Sequence, residues 1–255
     1  VRVRAPRLHF LLRATARWPP FRSPGVWLMN YQLNFGFLSE YWPLLLNGTL
    51  ATIQMSAVVT VVGFVLGTLC AVASSSRYKM LRIVVAIYVE AIRNTPLLVQ
   101  LFLVYFGLSS LGLKFSAQTS ALIGLTINVG AYSSEIIRAG LQAIHPSQLE
   151  AADALGLSRL QMLAGIMLPP ALEKVYPALV SQYVLLMLAT SVASQISAEE
   201  LTGAAARIQS ITFRSFEVYI VILVIYLVLS FLMRGLFSAL GLLLFPRKRR
   251  LGTNL

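Results

Sequence analysis

The chain has 255 residues, 57% of them hydrophobic and only 12% charged, with a mean hydropathy of +0.75; soluble domains carry about 25% charged residues, so an excess this apolar needs lipid as its solvent. One cysteine, Cys70, and two histidines, His9 and His145, exclude a disulfide framework, a cysteine-based zinc site and a multi-histidine metal centre. The net charge of +12 in such a chain points to membrane orientation rather than nucleic acid, and at about 20 residues per span the length allows about five or six spans and no added catalytic domain.

Residues 1–28 hold six arginines, no acid, and Pro6, Pro19, Pro20 and Pro24. Their longest apolar run, Phe10-Leu11-Leu12, is far short of the roughly 7–15 residues of a secretory signal. The next methionine is Met29. The reading is a basic leader, disordered or a mis-called start, with a membrane-surface arm as the alternative. Residues 29–46 follow as a short extracytoplasmic segment.

Five apolar segments come next, at about 50–73, 83–107, 119–138, 175–195 and 217–240. In the first, Gly63 and Gly67 share one helix face and predict a close helix-packing seam. The second is interrupted at Arg93-Asn94-Thr95-Pro96, since proline disfavours helical geometry at the residue before it. Basic residues near span ends set orientation. Arg77, Lys79 and Arg82, then Arg138, Arg159 and Lys174, then the tail 246–255 with Arg247, Lys248, Arg249 and Arg250, all fall on one side of a five-span chain. That side is read as cytoplasmic, with the N-terminus outside.

Residues 139–174 form the longest cytoplasmic loop. Ser147 with Glu150, and Ser158 with Gln161, have capping-box spacing. Gly156 is a helix stop, and Pro169-Pro170 is expected to end the second helix. The loop is thus expected to fold as a helix-turn-helix knob.

Within it, Glu150-Ala151-Ala152, then Gly156, then Ile166-Met167-Leu168-Pro169 resemble the E-A-A-x3-G-x9-I-x-L-P loop of the permease subunits of binding-protein-dependent ABC importers, with every defined position present. The run from Arg93 to Leu101 with Tyr105-Phe106-Gly107 is similar to that of the polar amino-acid permeases of the histidine, glutamine and glutamate type. So are Asn47-Gly48-Thr49 and Ala131-Tyr132 with Glu135, Ile136 and Arg138. The resemblance covers about residues 29–245. It implies an all-α polytopic membrane protein with about five transmembrane helices and the type I ABC importer permease fold. It implies that Glu150, Ala151, Ala152, Gly156, Ile166, Leu168 and Pro169 couple to a cytoplasmic ABC ATPase dimer. That dimer would bind ATP and Mg, leaving this chain without a cofactor. The other implied partners are a second permease, an extracytoplasmic solute-binding protein, an amino-acid substrate and membrane lipid. One departure stands out: relatives often carry Lys-Asp-Thr-Ser where this chain has Leu188-Ala189-Thr190-Ser191.

A charge inside a membrane costs about 2.5–3.5 kcal/mol on insertion scales, so intramembrane polar groups are candidates for the pathway. Glu90 and Arg93, three residues apart, are placed to pair on one helix face, either as a self-neutralising pair or beside a pathway exposed by the break at Asn94, Thr95 and Pro96. Gln100 continues that stretch. Glu135 and Arg138 repeat the spacing as a loop-entrance anchor. Gln182, Thr190 and Ser191 line a polar path or bond between helices. There is no G-x-x-x-x-G-K-[ST] loop and no Gly-Lys dipeptide, which argues against ATP hydrolysis by this chain. No H-E-x-x-H or G-x-S-x-G is present, which disfavours a membrane hydrolase. No internal repeat of the kind common in secondary transporters is found. The expectation is the permease subunit of an ATP-driven amino-acid importer in the inner membrane.

Overall fold

The computed structural model describes residues 31–245; the leader 1–28 and the tail 246–255 lie outside the described residues. Residues 31–34 carry no helix or strand, and the helical unit begins at Phe35. Among the described residues there is no strand, and the helices are α1 (Leu38–Ser74), α2 (Lys79–Arg93), α3 (Leu97–Ser110), α4 (Ala117–Gln142), α5 (Pro146–Ala154), α6 (Arg159–Ile196), α7 (Leu201–Thr212) and α8 (Ser215–Leu244).

α4 is the helix around which the others gather, packing on α1, α2, α3 and α6. Its inward residues are small: Ser120, Ala121, Gly124, Gly130, Ala131, Ser133, Ser134 and Gly140 are buried. Small side chains let backbones approach closely in lipid, where association rests on packing rather than on water expulsion. The expected Gly63–Gly67 seam is the α1–α4 contact. A Cβ on Gly63 would run into the Val129 side chain, and one on Gly67 would lie 2.6 Å from Ser133 Cβ. Met55, Val59, Leu125, Val129, Ile137, Leu179 and Tyr183 form the main core. A second cluster, with Leu45, Leu201, Ile208 and Val218, seats α7 between α1 and α8.

Three helices among the described residues, α1, α6 and α8, are long and apolar enough to cross a membrane, and the bent pair α2–α3 would make a fourth. α4, expected as the third span, forms as a helix but is not among them. Its interior position lets it carry hydroxyls, glycines and charges that dilute its hydropathy.

Two expectations need correction, the start of the first segment and the stop at Pro169-Pro170. α1 begins at Leu38, well before residue 50: Leu38–Asn47 contains no glycine, and its one breaker, Pro43, lies inside the helix, which continues through it at the loss of one backbone bond. Its 37 residues reach about 55 Å, beyond the roughly 30 Å hydrocarbon core. The second segment is interrupted where expected, and the interruption is also a sharp bend: α2 and α3 meet at 111°. Pro169 and Pro170 do not end a helix but lie in the first turn of Leu168–Ala189, directly after a π-helical stretch, Met162–Met167. The wider π turn spares the ladder the bond that a proline cannot make and the clash its ring would cause. α7, between the fourth and fifth apolar segments, is a further helix of twelve residues for which no element is expected from the sequence pattern.

Candidate functional site

The knob is built by α5, the turn at Gly156 and the start of α6. Pro146 opens α5 at a position that needs no N–H. The cap is His145, not Ser147: the His145 ring nitrogen Nδ1 accepts from the Ser147 N–H at 3.2 Å and lies 2.7 Å from its hydroxyl. The expected Ser147–Glu150 box is therefore absent, since Ser147 is already inside the first turn. The Ser158–Gln161 box is formed in both directions. Gly156 has φ +71°, and its N–H and that of Leu157 close α5 onto Asp153 and Ala152 carbonyls. A Cβ there would meet nothing within 4 Å, so backbone conformation alone demands the glycine.

Ala152 is buried while Glu150 and Ala151 are exposed. Ile166 lies in the π stretch, followed by Leu168 and Pro169. Flanking Gly156, Leu155 is 79% and Leu160 74% exposed. Sequence reasoning passed over both, although two large aliphatic residues in a loop tip are a readable signal for a covering partner. One groove of about 970 Å³ runs past Arg77, Glu150, Asp153 and Arg159. Another, of about 660 Å³, lies against Ala151, Leu155, Ile166, Pro169 and Phe245. The knob thus offers a compact apolar tip with charged and apolar flanks.

At the α2–α3 break, Glu90 and Arg93 do not pair. Asn94 Nδ2 donates to the Glu90 carbonyl at 2.8 Å and to its carboxylate at 2.9 Å. Arg93 reaches across to Glu135 at 3.7 Å and lies over the Tyr132 ring, 5.6 Å from its centre. The helix ends at Arg93, so its guanidinium is free to turn toward α4. Glu135 also pairs with Arg138, as the spacing predicts. Glu90, Arg93, Asn94, Thr95 and Pro96 are exposed, whereas Gln100 is buried. The Gln100 amide donates to the Ile92 carbonyl at 2.8 Å, the Thr95 carbonyl at 3.1 Å and the Thr95 hydroxyl at 2.8 Å. Its oxygen accepts from Asn128 Nδ2 at 2.9 Å. A single side chain therefore serves the carbonyls that the break leaves without helical partners.

Further along, Gln182 is half-buried and Thr190 fully buried. The Thr190 and Ser191 hydroxyls bond to carbonyls of their own helix, Met187 and Leu188. Beyond them is a node that sequence reasoning missed. Glu200, 1% exposed, caps α7 by accepting from the N–H groups of Thr202 at 2.8 Å and Gly203 at 2.7 Å. It also accepts from the Tyr226 hydroxyl at 2.9 Å. Thr52 of α1 accepts from the Leu201 N–H, and Gly48 admits α7 closely, since a Cβ there would lie 2.9 Å from Ala204 Cβ. Beside this node, Asn47, Gln195, Ser197, Glu199 and Arg207 line a cavity of about 440 Å³.

Residues 63–243 match the family described as binding-protein-dependent transport system inner membrane component. The octopine transport system permease protein OccM of Rhizobium meliloti is 36% identical over 223 residues, covering 84% of this chain and 91% of its own. The L-cystine transport system permease protein TcyB of Bacillus subtilis is 36% identical over 198 residues, covering 76% of this chain and 83% of its own. Among solved structures, an amino acid ABC transporter with histidines superposes with a TM-score of 0.76 at 36% identity, over 83% of this chain and 99% of that one. The MetNI methionine ABC transporter gives 0.67 at 20% identity, over 81% and 98%, a likeness of fold alone. The all-α importer-permease fold expected from the knob motif is the fold observed, and the chain belongs to the family of binding-protein-dependent transport system inner membrane components.

Proposed function

We propose that this chain is the permease subunit of an ATP-driven importer of polar amino acids. The observation that carries the reading is the 36% identity and near-complete coverage shared with a solved amino acid ABC transporter chain, with permeases named for octopine and L-cystine transport at similar identity in support. Two such permeases enclose the route. A solute-binding protein delivers the amino acid from outside, and an ATPase dimer on the cytoplasmic side binds ATP and Mg and performs the hydrolysis. This chain carries out no chemistry. The knob, with Gly156 at its turn and Leu155 and Leu160 at its tip, seats in the ATPase, and movement there rocks the helices. The exposed turn Glu90–Pro96 borders the route, with Gln182 and Ser191 as further polar candidates and Thr190 buried within the bundle.

The test is reconstitution in proteoliposomes with a candidate second permease, ATPase and solute-binding protein, scanning radiolabelled amino acids. ATP-dependent accumulation of one or a few of them is expected. Uptake that persists without the ATPase would overturn the reading in favour of a secondary transporter.

A further inference from the structure

α4 holds the α2–α3 break at three successive levels of one face. Asn128 donates to Gln100. Tyr132 directs its hydroxyl toward the Arg93 carbonyl at 3.5 Å and its ring toward the Arg93 guanidinium. Glu135 faces that guanidinium. Residues 128, 132 and 135 are spaced as one helical stripe. At the residue just before them, Tyr88 of α2 donates to the Ile127 carbonyl at 2.6 Å. The same helix ends at Gln142, and His145, the cap of the knob, follows after two residues. One helix therefore runs from the break to within three residues of the knob's cap.

Of the side-chain pairs at the break, Asn128–Gln100 is the more enclosed, since Gln100 is 7% exposed while the Arg93–Glu135 pair is about a third exposed on each side. Its direction is fixed by chemistry. The Gln100 Nε2 must face the carbonyls of Ile92 and Thr95, which only accept, so Gln100 Oε1 must be the acceptor and Asn128 the donor.

We propose that Asn128 and Gln100 are positioning residues that latch the exposed turn Glu90–Pro96 to α4, so that motion of the knob is delivered to the break rather than lost within the bundle. The proposal rests on the reading of the knob as the ATPase contact. Without the latch, α4 moves with the knob while the turn stays behind, and ATP is hydrolysed without transport.

The experiment uses the complete reconstituted transporter and reads amino acid taken up per ATP hydrolysed. Asn128→Asp keeps the shape and removes the donor, and Asn128→Gln keeps a donor. Loss of one buried hydrogen bond is worth about tenfold in an equilibrium, so the Asp variant is expected to take up about tenfold less per ATP with hydrolysis stimulated by the binding protein little changed, and the Gln variant to recover part of the ratio. An unchanged ratio, or uptake and hydrolysis falling together, overturns the latch. If Asn128→Asp does not accumulate, the same ratio is read on Gln100→Glu, which loses its donors to Ile92 and Thr95. Failure of the wild-type complex to transport any amino acid would instead overturn the proposed function and is recognised before any variant is compared.

Discussion

At the scale of single residues, the three conspicuous glycines act for different reasons. Gly63 and Gly67 are required by space, because side chains of α4 occupy the volume a Cβ would need. Gly156 is required by its left-handed backbone, with open space around it. Gly156→Val should strain the knob turn by about 1–3 kcal/mol, whereas Gly156→Asn, which tolerates that conformation, should cost less. The expected outcome is transport lost in the valine variant and largely kept in the asparagine variant at equal membrane accumulation, read by uptake assay. Glu200 makes a second case. Glu200→Ala removes the α7 cap and leaves the half-buried Tyr226 hydroxyl with Thr202 alone, a loss of about 1–3 kcal/mol. Glu200→Gln keeps an acceptor, so its thermal midpoint in detergent should lie between those of Glu200→Ala and the wild type.

At the scale of elements, the break between α2 and α3 is sustained more by Gln100 than by Pro96. Pro96 sits in extended geometry before α3, which alanine can also adopt. Gln100 serves three oxygens of the break. Pro96→Ala should therefore lower the thermal midpoint less than Gln100→Leu, which leaves those oxygens and Asn128 without their partner; the reverse order would show that proline dictates the bend. Much of this was legible in the residues. The break, the Gly63–Gly67 seam, the Gly156 turn, the Ser158–Gln161 box and the Glu135–Arg138 pair are local features, set by spacing along a helix. What was not legible depended on distant partners. Arg93 chose Glu135 over Glu90 because α4 packs beside the end of α2. Gln100 turned inward because Asn128 waits there. Glu200 became a hub only once α1, α7 and α8 met around it. His145 as a cap was hidden by the more conventional serine two residues on.

At the scale of the whole molecule, the chain separates two ends with different chemistry. One bears the knob, with Leu155 exposed. Another bears the turn between α7 and α8, where Phe213 is 87% exposed at φ +56°. The expected five-span topology, with the basic tail on the cytoplasmic side, would place these on opposite sides of the membrane. With Cys70 replaced by serine, Leu155→Cys should react with an impermeant maleimide only after permeabilisation, and Phe213→Cys in intact cells. Labelling of both from one side would reverse the topology. The large apolar faces left open on α1, α2 and α8 fit a chain whose solvent is lipid.

The π stretch Met162–Met167 also bears on how this chain tolerates changes of length. A π turn holds one residue more than the straight helix needs. Removing Gly165, whose absent side chain meets nothing within 4 Å, together with Pro169→Ala and Pro170→Ala, should convert the stretch into ordinary α-helix and leave Ala171, Leu179, Tyr183 and Met187 facing inward. A one-residue deletion at Val180 has no such reserve. It turns every later position of α6 by about 100°, carrying Tyr183 and Met187 toward lipid. The first variant should accumulate in membranes and the second should be degraded, so insertions and deletions in this fold are expected to gather where the helix is already wide.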